Sequence, residues 1–511
     1  MKTHVELRPG AYADSVTLLQ VSRAVQGVEG VATAQVAMAT PLNLEVLEQM
    51  GFTLPASTPN DMVVAIRLDD DSALDAALAA VESALTRTTS RDDGGDTREP
   101  HRTTGAALRD AGADVLVLVS VPGASATVEA MDALDAGHDV MLFSDNVPVE
   151  EEVTLKTAAE ARGLLVMGPD CGTAVVDGLG LGFANATSPG PVGIVAASGT
   201  GCQQLLVLLD HAGVGVSNAL GVGGRDLSAA VGGRSTREAL RRLDADPAVD
   251  LIVLVSKPPA DDVANEIREF AGALVTPVEI ALLGPGQPDL TAAAERVLQR
   301  LGHAVPEWPV TGLDKLDHRE GKLDHREGRL DHREGKLDHR EGKLDHREGK
   351  LDHPEGKLDH RKQANRKGDL LQGLFVGGTL RDEAALIAGG EHPMVDFGAD
   401  ELTQGRAHPM IDPAIRLEHL SRVADDPRTG AVLLDVVLGH GAEPDPAAAL
   451  APVVRDVVTN GVPVFVSCVG TTGDPQGLDA QRAALAEAGA EVHLSNARAT
   501  RRALELLGRT S

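Results

Sequence analysis

Apolar and polar positions recur along this chain with two periods, and the switches between them mark its units. From 1 to 88, short apolar runs alternate with segments whose apolar residues recur every three or four positions. HVELRPG, VATAQVAMAT and DMVVAIRLDD read as strands, and SVTLLQVSRAVQGV, LNLEVLEQMG and SALDAALAAVESAL as helices. This order predicts a small α+β module of ferredoxin-like or related split βαβ type. Residues 89–103, TSRDDGGDTREPHRT, are polar and charged and read as a linker.

From 104 to 187 the strands become continuous apolar runs closed by glycine turns: DVLVLVSVPG, HDVMLFSD and LLVMGPDCG, with amphipathic helices between them. Uninterrupted apolar strands alternating with helices predict a parallel sheet covered on both faces, here Rossmann-like. Residues 188–303 repeat the pattern with VGIVAASGTG, VGVSNALGVGGRD, DLIVLVSKPP and PVEIALLG, a flavodoxin-like unit. Residues 369–511 repeat it again with GLFVGGTL, AVLLDVVLGHG, PVFVSCVGTTGDPQ and AEVHLSN. The fold class is therefore α/β and multidomain, with parallel sheets behind a small α+β module. Right-handed crossovers place the loop after each parallel strand at one edge of its sheet.

Between them, 304–368 reads as a linker carrying the heptapeptide LDHREGK over 314–361. One Leu per heptad is half of what a coiled coil needs, and one Gly per heptad costs about 1 kcal/mol in a helix. The repeat holds seven of the 17 histidines, but single histidines seven residues apart do not preorganise a metal site. No metal site is expected.

Composition narrows the function classes. Of the 511 residues, 42% are hydrophobic and only 2% aromatic, so the cores are built from Val, Leu, Ala and Ile. A net charge of −29 argues against nucleic acid and anionic membrane as partners. Cys171, Cys202 and Cys468 show no CxxC spacing. The N-terminus lacks the apolar stretch of a signal peptide and no run of about 18 apolar residues occurs, so a cytoplasmic location is expected.

Candidate chemistry sits in the loops after strands. Ser198, Gly199, Thr200 and Gly201 join a strand to a helix, where glycines admit close approach and first-turn N–H groups favour an anion. Asp170 and Cys171 lie in GPDCG, at the edge where open sheets bind ligands. Gly377, Gly378 and Thr379 form the matching loop of the last unit. Asp435, in DVVLGHGAEPDP, and Gly470, Thr471 and Asp474, in GTTGDPQ, are expected at the same edge, the aspartates as acid/base or orienting groups. The long polar stretch 392–413 offers Arg406 and His408 to orient an anionic substrate.

The run from AGADVLVLVSVPG through MGPDCGTA, VGIVAASGTG and LGVGGRDL to LVSKPP resembles the α subunit of succinyl-CoA synthetase and its NDP-forming acyl-CoA synthetase relatives. With FVGGTLRDEA, HPMIDP, DVVLGHGA, GTTGDPQGL and LSNARA, the whole chain outside the repeat resembles the FdrA family more closely. That resemblance implies a subunit of oxamate carbamoyltransferase, acting with companion subunits in an oligomeric complex of purine and allantoin breakdown, with carbamoyl phosphate as substrate. Two features of the ligases are missing. No glycine-rich CoA loop precedes residue 104, and EIALLGPGQPDLTAAA, from Glu279, lacks the phosphorylatable His of a GHAGA motif. His440 in GHGA mimics that motif one domain later. An acyl-CoA synthetase using CoA, a nucleotide and His440 is the alternative, and a non-catalytic scaffold subunit a third.

Overall fold

A computed structural model describes residues 2–11, 13, 15–89, 101, 103–112, 115–312, 368–403 and 407–509. The LDHREGK repeat and Arg406 lie outside the described residues.

The first module runs β1 (Lys2–Arg8), α1 (Ser15–Gln26), β2 (Val31–Met38), α2 (Pro41–Gln49), β3 (Met62–Leu68) and α3 (Leu74–Thr89). β3 lies between β1 and β2 and runs antiparallel to both, a split βαβ arrangement with three strands. Its sequence MVVAIRL is apolar at almost every position because both faces are covered. Val64, Ile66 and Leu68 pack on α1 and α3, and Val63 and Ala65 on Leu47 and Phe52.

The second unit contains α4 (Thr104–Asp110), β4 (Leu116–Val119), α5 (Gly123–Asp135), β5 (Asp139–Leu142), α6 (Val149–Glu160) and β6 (Val166–Met167). Its three strands are parallel in the order β4-β5-β6. The hairpin of β7 (Thr173–Val176) and β8 (Leu179–Gly182) leaves this sheet. Although expected within the 104–187 unit, it pairs antiparallel with β10 and extends the next sheet.

The third unit contains β9 (Val192–Ala197), α7 (Gly199–His211), β10 (Val216–Gly221), α8 (Arg234–Ala245), β11 (Leu251–Ser256), α9 (Asp261–Gly272), β12 (Val278–Leu282) and α10 (Leu290–Arg300). Strand order is β12-β11-β9-β10-β7-β8. The chain leaves β9 toward β10 on one side and later returns to β11 on the other. The end of β9, where SGTG begins, is therefore a topological switch point, the place where open parallel sheets bind ligands.

The fourth unit starts inside the expected linker. β13 (Val310–Thr311) pairs antiparallel with β18, and the buried Trp308 donates Nε1–H to Glu295 at 2.8 Å. After it come β14 (Leu370–Phe375), α11 (Gly378–Ala388), β15 (Met394–Asp396), α12 (Asp400–Thr403), α13 (Ala414–Val423), β16 (Thr429–Val437), α14 (Pro446–Thr459), β17 (Val464–Val469), α15 (Leu478–Glu487), β18 (Glu491–His493) and α16 (Asn496–Leu506). β15 and α12 fall in the stretch 392–413 that reads as one long loop in the sequence. Strand order β13-β18-β17-β16-β14-β15 makes the end of β14 a second switch point.

One hydrophobic core joins the third and fourth units. α7 is central to it, with every residue from Thr200 to Leu209 buried, so it is apolar nearly all round. Its two buried glutamines find partners elsewhere. Gln203 donates to Phe183 O (2.6 Å) and Leu438 O (3.2 Å), and Gln204 donates to Leu494 O (3.1 Å). Both sheets thus present their carboxyl edges to a common junction. Among the described residues no helix is long and apolar enough to cross a membrane.

Candidate anion-binding site

The two switch-point loops touch. Ser198 caps α7, accepting the Gly201 N–H at 3.0 Å. Its Oγ donates to Thr379 Oγ1, in the first turn of α11, at 2.7 Å. A Cβ at Gly377 would stand 2.5 Å from Thr200 Oγ1, so only glycine lets the loops approach this closely. The N–H groups of each first helical turn have no acceptor within their own helix, and each helix start carries partial positive charge. Ser198, Gly199, Thr200, Gly201, Gly377, Gly378 and Thr379 therefore come together at one junction, where Ser198 Oγ takes the Gly201 N–H, Asp435 the Gly377 N–H and Thr379 Oγ1 the Ser198 hydroxyl proton.

Asp435 shapes the α11 side of it. This buried carboxylate accepts Val376 N–H at 2.8 Å and Gly377 N–H at 3.0 Å, and pairs with buried Arg416 at 3.0 Å. Burial pushes its pKa up to about 6 although Arg416 pulls the other way. All these contacts are within the chain, so Asp435 holds the VGGT loop in place.

The GPDCG loop lines a narrow cleft with the start of α7. Asp170, Cys171, Gly172 and Thr173 face Ser198, Gly199, Gly221, Gly223 and Gly224 across it. Cys171 is buried, its thiol 3.7 Å from Thr173 O, and burial pushes its pKa up to about 12. A thiol in that state is a poor nucleophile. Cys202 and Cys468 are also buried with raised pKa values. The expected outcome with a thiol-reactive disulfide reagent at pH 8 is no labelling of the native protein and three thiols after denaturation. Rapid labelling of Cys171 in the native state would contradict the geometry.

His408 flanks the VGGT loop. Its Nε2 and Val376 O each lie 2.7 Å from the point where a Gly398 Cβ would stand, and its Nδ1 accepts Met410 N–H at 3.2 Å. Desolvation lowers its pKa to about 4, which keeps the ring neutral at physiological pH. His440 is placed differently. His440 is exposed, its ring lies against Gly180 of the β7–β8 hairpin, and its backbone N–H donates to Ala184 O at 2.9 Å.

The GTTGDPQ loop works as a clamp between units. Asp474 accepts Asn185 Nδ2–H (2.8 Å), Ala186 N–H (2.7 Å) and Thr471 N–H (2.8 Å), while Thr471 donates to Ala186 O at 2.6 Å. Gly470 packs against Leu438. These residues sit at the shared edge, but their polar groups serve the contact with 185–186.

Two groups at the site escape the sequence reading. Lys257 follows β11 directly, and its Nζ lies 2.8 Å from where a Gly378 Cβ would stand. Lys156 is fully buried and donates to Glu152 (2.8 Å), Asp226 (2.7 Å) and Val222 O (2.8 Å), which ties α6 to the glycine loop lining the cleft. A lysine just after an apolar strand was the available signal for Lys257.

The chain is 32% identical over 522 aligned residues to the uncharacterized protein YahF of Escherichia coli (strain K12), covering 96% of this chain and 95% of that one. The chain belongs to the FdrA family, within the succinyl-CoA synthetase superfamily. The CoA-ligase family profile matches residues 374–506 of this FdrA-family chain, and that of the AllF heavy metal-associated domain matches residues 1–102. The latter stretch contains no cysteine, and among the described residues no three His, Cys, Asp or Glu side chains converge as a metal site.

Succinate–CoA ligase [ADP-forming] subunit alpha 2 of Archaeoglobus fulgidus is 30% identical over 205 residues, 39% of this chain and 66% of that one. Among solved structures, the dinucleotide-forming acetyl-coenzyme A synthetase 1 of Ca. Korarchaeum cryptofilum, in complex with phosphate and ADP, aligns at 13% identity with a TM-score of 0.31, over 82% of this chain and 88% of that one.

Proposed function

We propose that this FdrA-family chain is the subunit of a carbamoyl-transferring complex that binds the phosphate of carbamoyl phosphate, with oxamate as the acceptor. The observation that carries this reading is the meeting of the α7 and α11 starts, joined by the 2.7 Å Ser198–Thr379 bond. Two helix N-termini that meet here, with the Thr379 hydroxyl, suit an anionic oxygen cluster. In the reaction the oxamate amide nitrogen attacks the carbamoyl carbon. The bond from that carbon to the bridging oxygen breaks, phosphate departs with the electron pair, and nitrogen loses a proton. The residues at the junction bind and orient the phosphate, which asks for neither CoA nor a phosphohistidine. His408 stands close enough to the α11 loop to position the second substrate. Companion subunits complete the site.

The CoA-ligase match over 374–506 favours a second reading, an NDP-forming acyl-CoA synthetase. It needs a phosphorylated histidine, and His440 is turned to the hairpin rather than to the helix starts. Purified with its companion subunits, the complex is expected to transfer carbamoyl from carbamoyl phosphate to oxamate, and His440→Asn is expected to retain this turnover. An acid-labile, alkali-stable phosphate label from ATP, absent in His440→Asn, would decide for the synthetase instead.

A further inference from the structure

Asp396 is the last residue of β15 and lies opposite Phe375 of β14 in the parallel register. Its carboxylate therefore reaches the carboxyl edge of the sheet beside the VGGT loop. The Gly398 N–H donates to Oδ1 at 2.9 Å and orients the group. Oδ2 stands where a Gly378 Cβ would come, and Lys257 Nζ lies 2.8 Å from the same point. Around Gly398, Oδ1 and His408 Nε2 lie 3.3 and 2.7 Å from the point where a Cβ would stand. One half-buried carboxylate thus has an ammonium on its Gly378 side and an imidazole on its Gly398 side.

Carbamoyl transfer to an amide needs such a group. As the new N–C bond forms, the nitrogen becomes acidic and must give up a proton. The other groups on this edge of the fourth unit are engaged. Asp435 is held by Val376, Gly377 and Arg416, and Asp474 by Asn185, Ala186 and Thr471. His408 takes the Met410 N–H on Nδ1, so its neutral ring carries a proton on Nε2 and donates there. Asp382, in the second turn of α11, pairs with Arg381 at 3.2 Å, and burial raises its pKa. Of the two carboxyls beside Lys257, only Asp396 also adjoins His408.

We propose that Asp396 is the catalytic base of this edge, taking the proton of the attacking amide nitrogen. The inference rests on the transferase reading and supplies the proton acceptor that the reaction requires. The nitrogen lone pair closes on the carbamoyl carbon, and the C–O bond to phosphate breaks with its electron pair. The N–H proton passes to Asp396 Oδ2 and from there to solvent. The His408 Nε2–H holds an oxygen of the amide substrate, which turns the nitrogen toward the carboxylate. Lys257 offsets the carboxylate's charge while the base is unprotonated.

The test uses the assembled complex with its companion subunits and compares wild type with Asp396→Asn, Asp396→Glu and Asp382→Asn. Asn keeps an acceptor for the Gly398 N–H, so Asp396→Asn is expected to melt with wild type. Its kcat is expected to fall by about a hundredfold or more, as loss of a general base does. Inhibition by inorganic phosphate is expected to be no weaker than in wild type. Asp396→Glu keeps a carboxylate and is expected to turn over faster than Asp396→Asn, and Asp382→Asn is expected to stay close to wild type. A group that only shapes the loop loses phosphate binding and turnover together, so equal losses of both in Asp396→Asn overturn the proposal. So does an Asp396→Asn complex with near wild-type kcat, or a Glu variant as slow as the Asn variant. A wild-type complex that transfers no carbamoyl group to oxamate overturns the transferase reading and this proposal together.

Discussion

Asp435→Ala is expected to lower the unfolding free energy by about 3–5 kcal/mol, the range seen when one partner of a buried ion pair is removed. The side chain is completely buried and Arg416 is 3% exposed, so the guanidinium left behind cannot turn to water. Val376 and Gly377 lose their acceptors at the same time. An orphaned buried N–H adds its own desolvation cost of about 1–3 kcal/mol. Urea unfolding at pH 7.5, where both partners are ionised, reads this as a shifted midpoint at constant slope. The double variant Asp435→Leu with Arg416→Met separates the terms. Replacing both charges by apolar groups is often neutral, so the double variant is expected to recover much of the stability. It does not restore the acceptors for Val376 and Gly377, so anion binding stays weak. A shift below about 1 kcal/mol in the single variant would contradict the geometry.

Gly377→Ala is expected to weaken anion binding by more than tenfold and to destabilise the fold by about 1–3 kcal/mol, as overpacking does. The backbone at Gly377 has φ −115°, which any residue adopts, so the effect comes from contact alone. The new Cβ would meet Oγ1, Cγ2 and Cβ of Thr200 at 2.5–2.8 Å. Thr200 is locked in the buried first turn of α7, so the helix starts must separate. Gly199→Ala is the control, because a Cβ there has no neighbour within 4 Å and stability should hold. Thermal melts and inorganic phosphate titrations of the two variants test this pair. Equal phosphate affinity in wild type and Gly377→Ala would contradict a site at the junction.

The strands around the site were legible because they are buried on both faces and therefore written as unbroken apolar runs. β9 and β14 each end in a glycine turn, and the parallel-sheet rule was enough to put SGTG and VGGT at sheet edges. That the two edges face one another was not legible, since nothing local encodes the packing of α7 between two sheets. The β7–β8 hairpin shows a related gap. Its sequence TAVVDGLGLG was not read as a hairpin, and nothing in it says which sheet it joins. Asp435 was conspicuous as a lone charge in AVLLDVVL, and its position was foreseen while its partner Arg416, on α13, was not. GTTGDPQ carries the composition of a ligand loop because a tight interdomain clamp needs the same glycines and hydroxyls. Lys257 went unread because a charged residue after a strand is ordinarily a solvated one. Its place beside Gly378 and Asp396 comes from the packing of the third unit on the fourth.

The most direct test is isothermal titration of the assembled complex with carbamoyl phosphate and, separately, with CoA. Saturable binding of carbamoyl phosphate, lost in Gly377→Ala, with no heat from CoA, is the predicted result. CoA binding with no heat from carbamoyl phosphate would contradict the account and return the chain to the acyl-CoA synthetases.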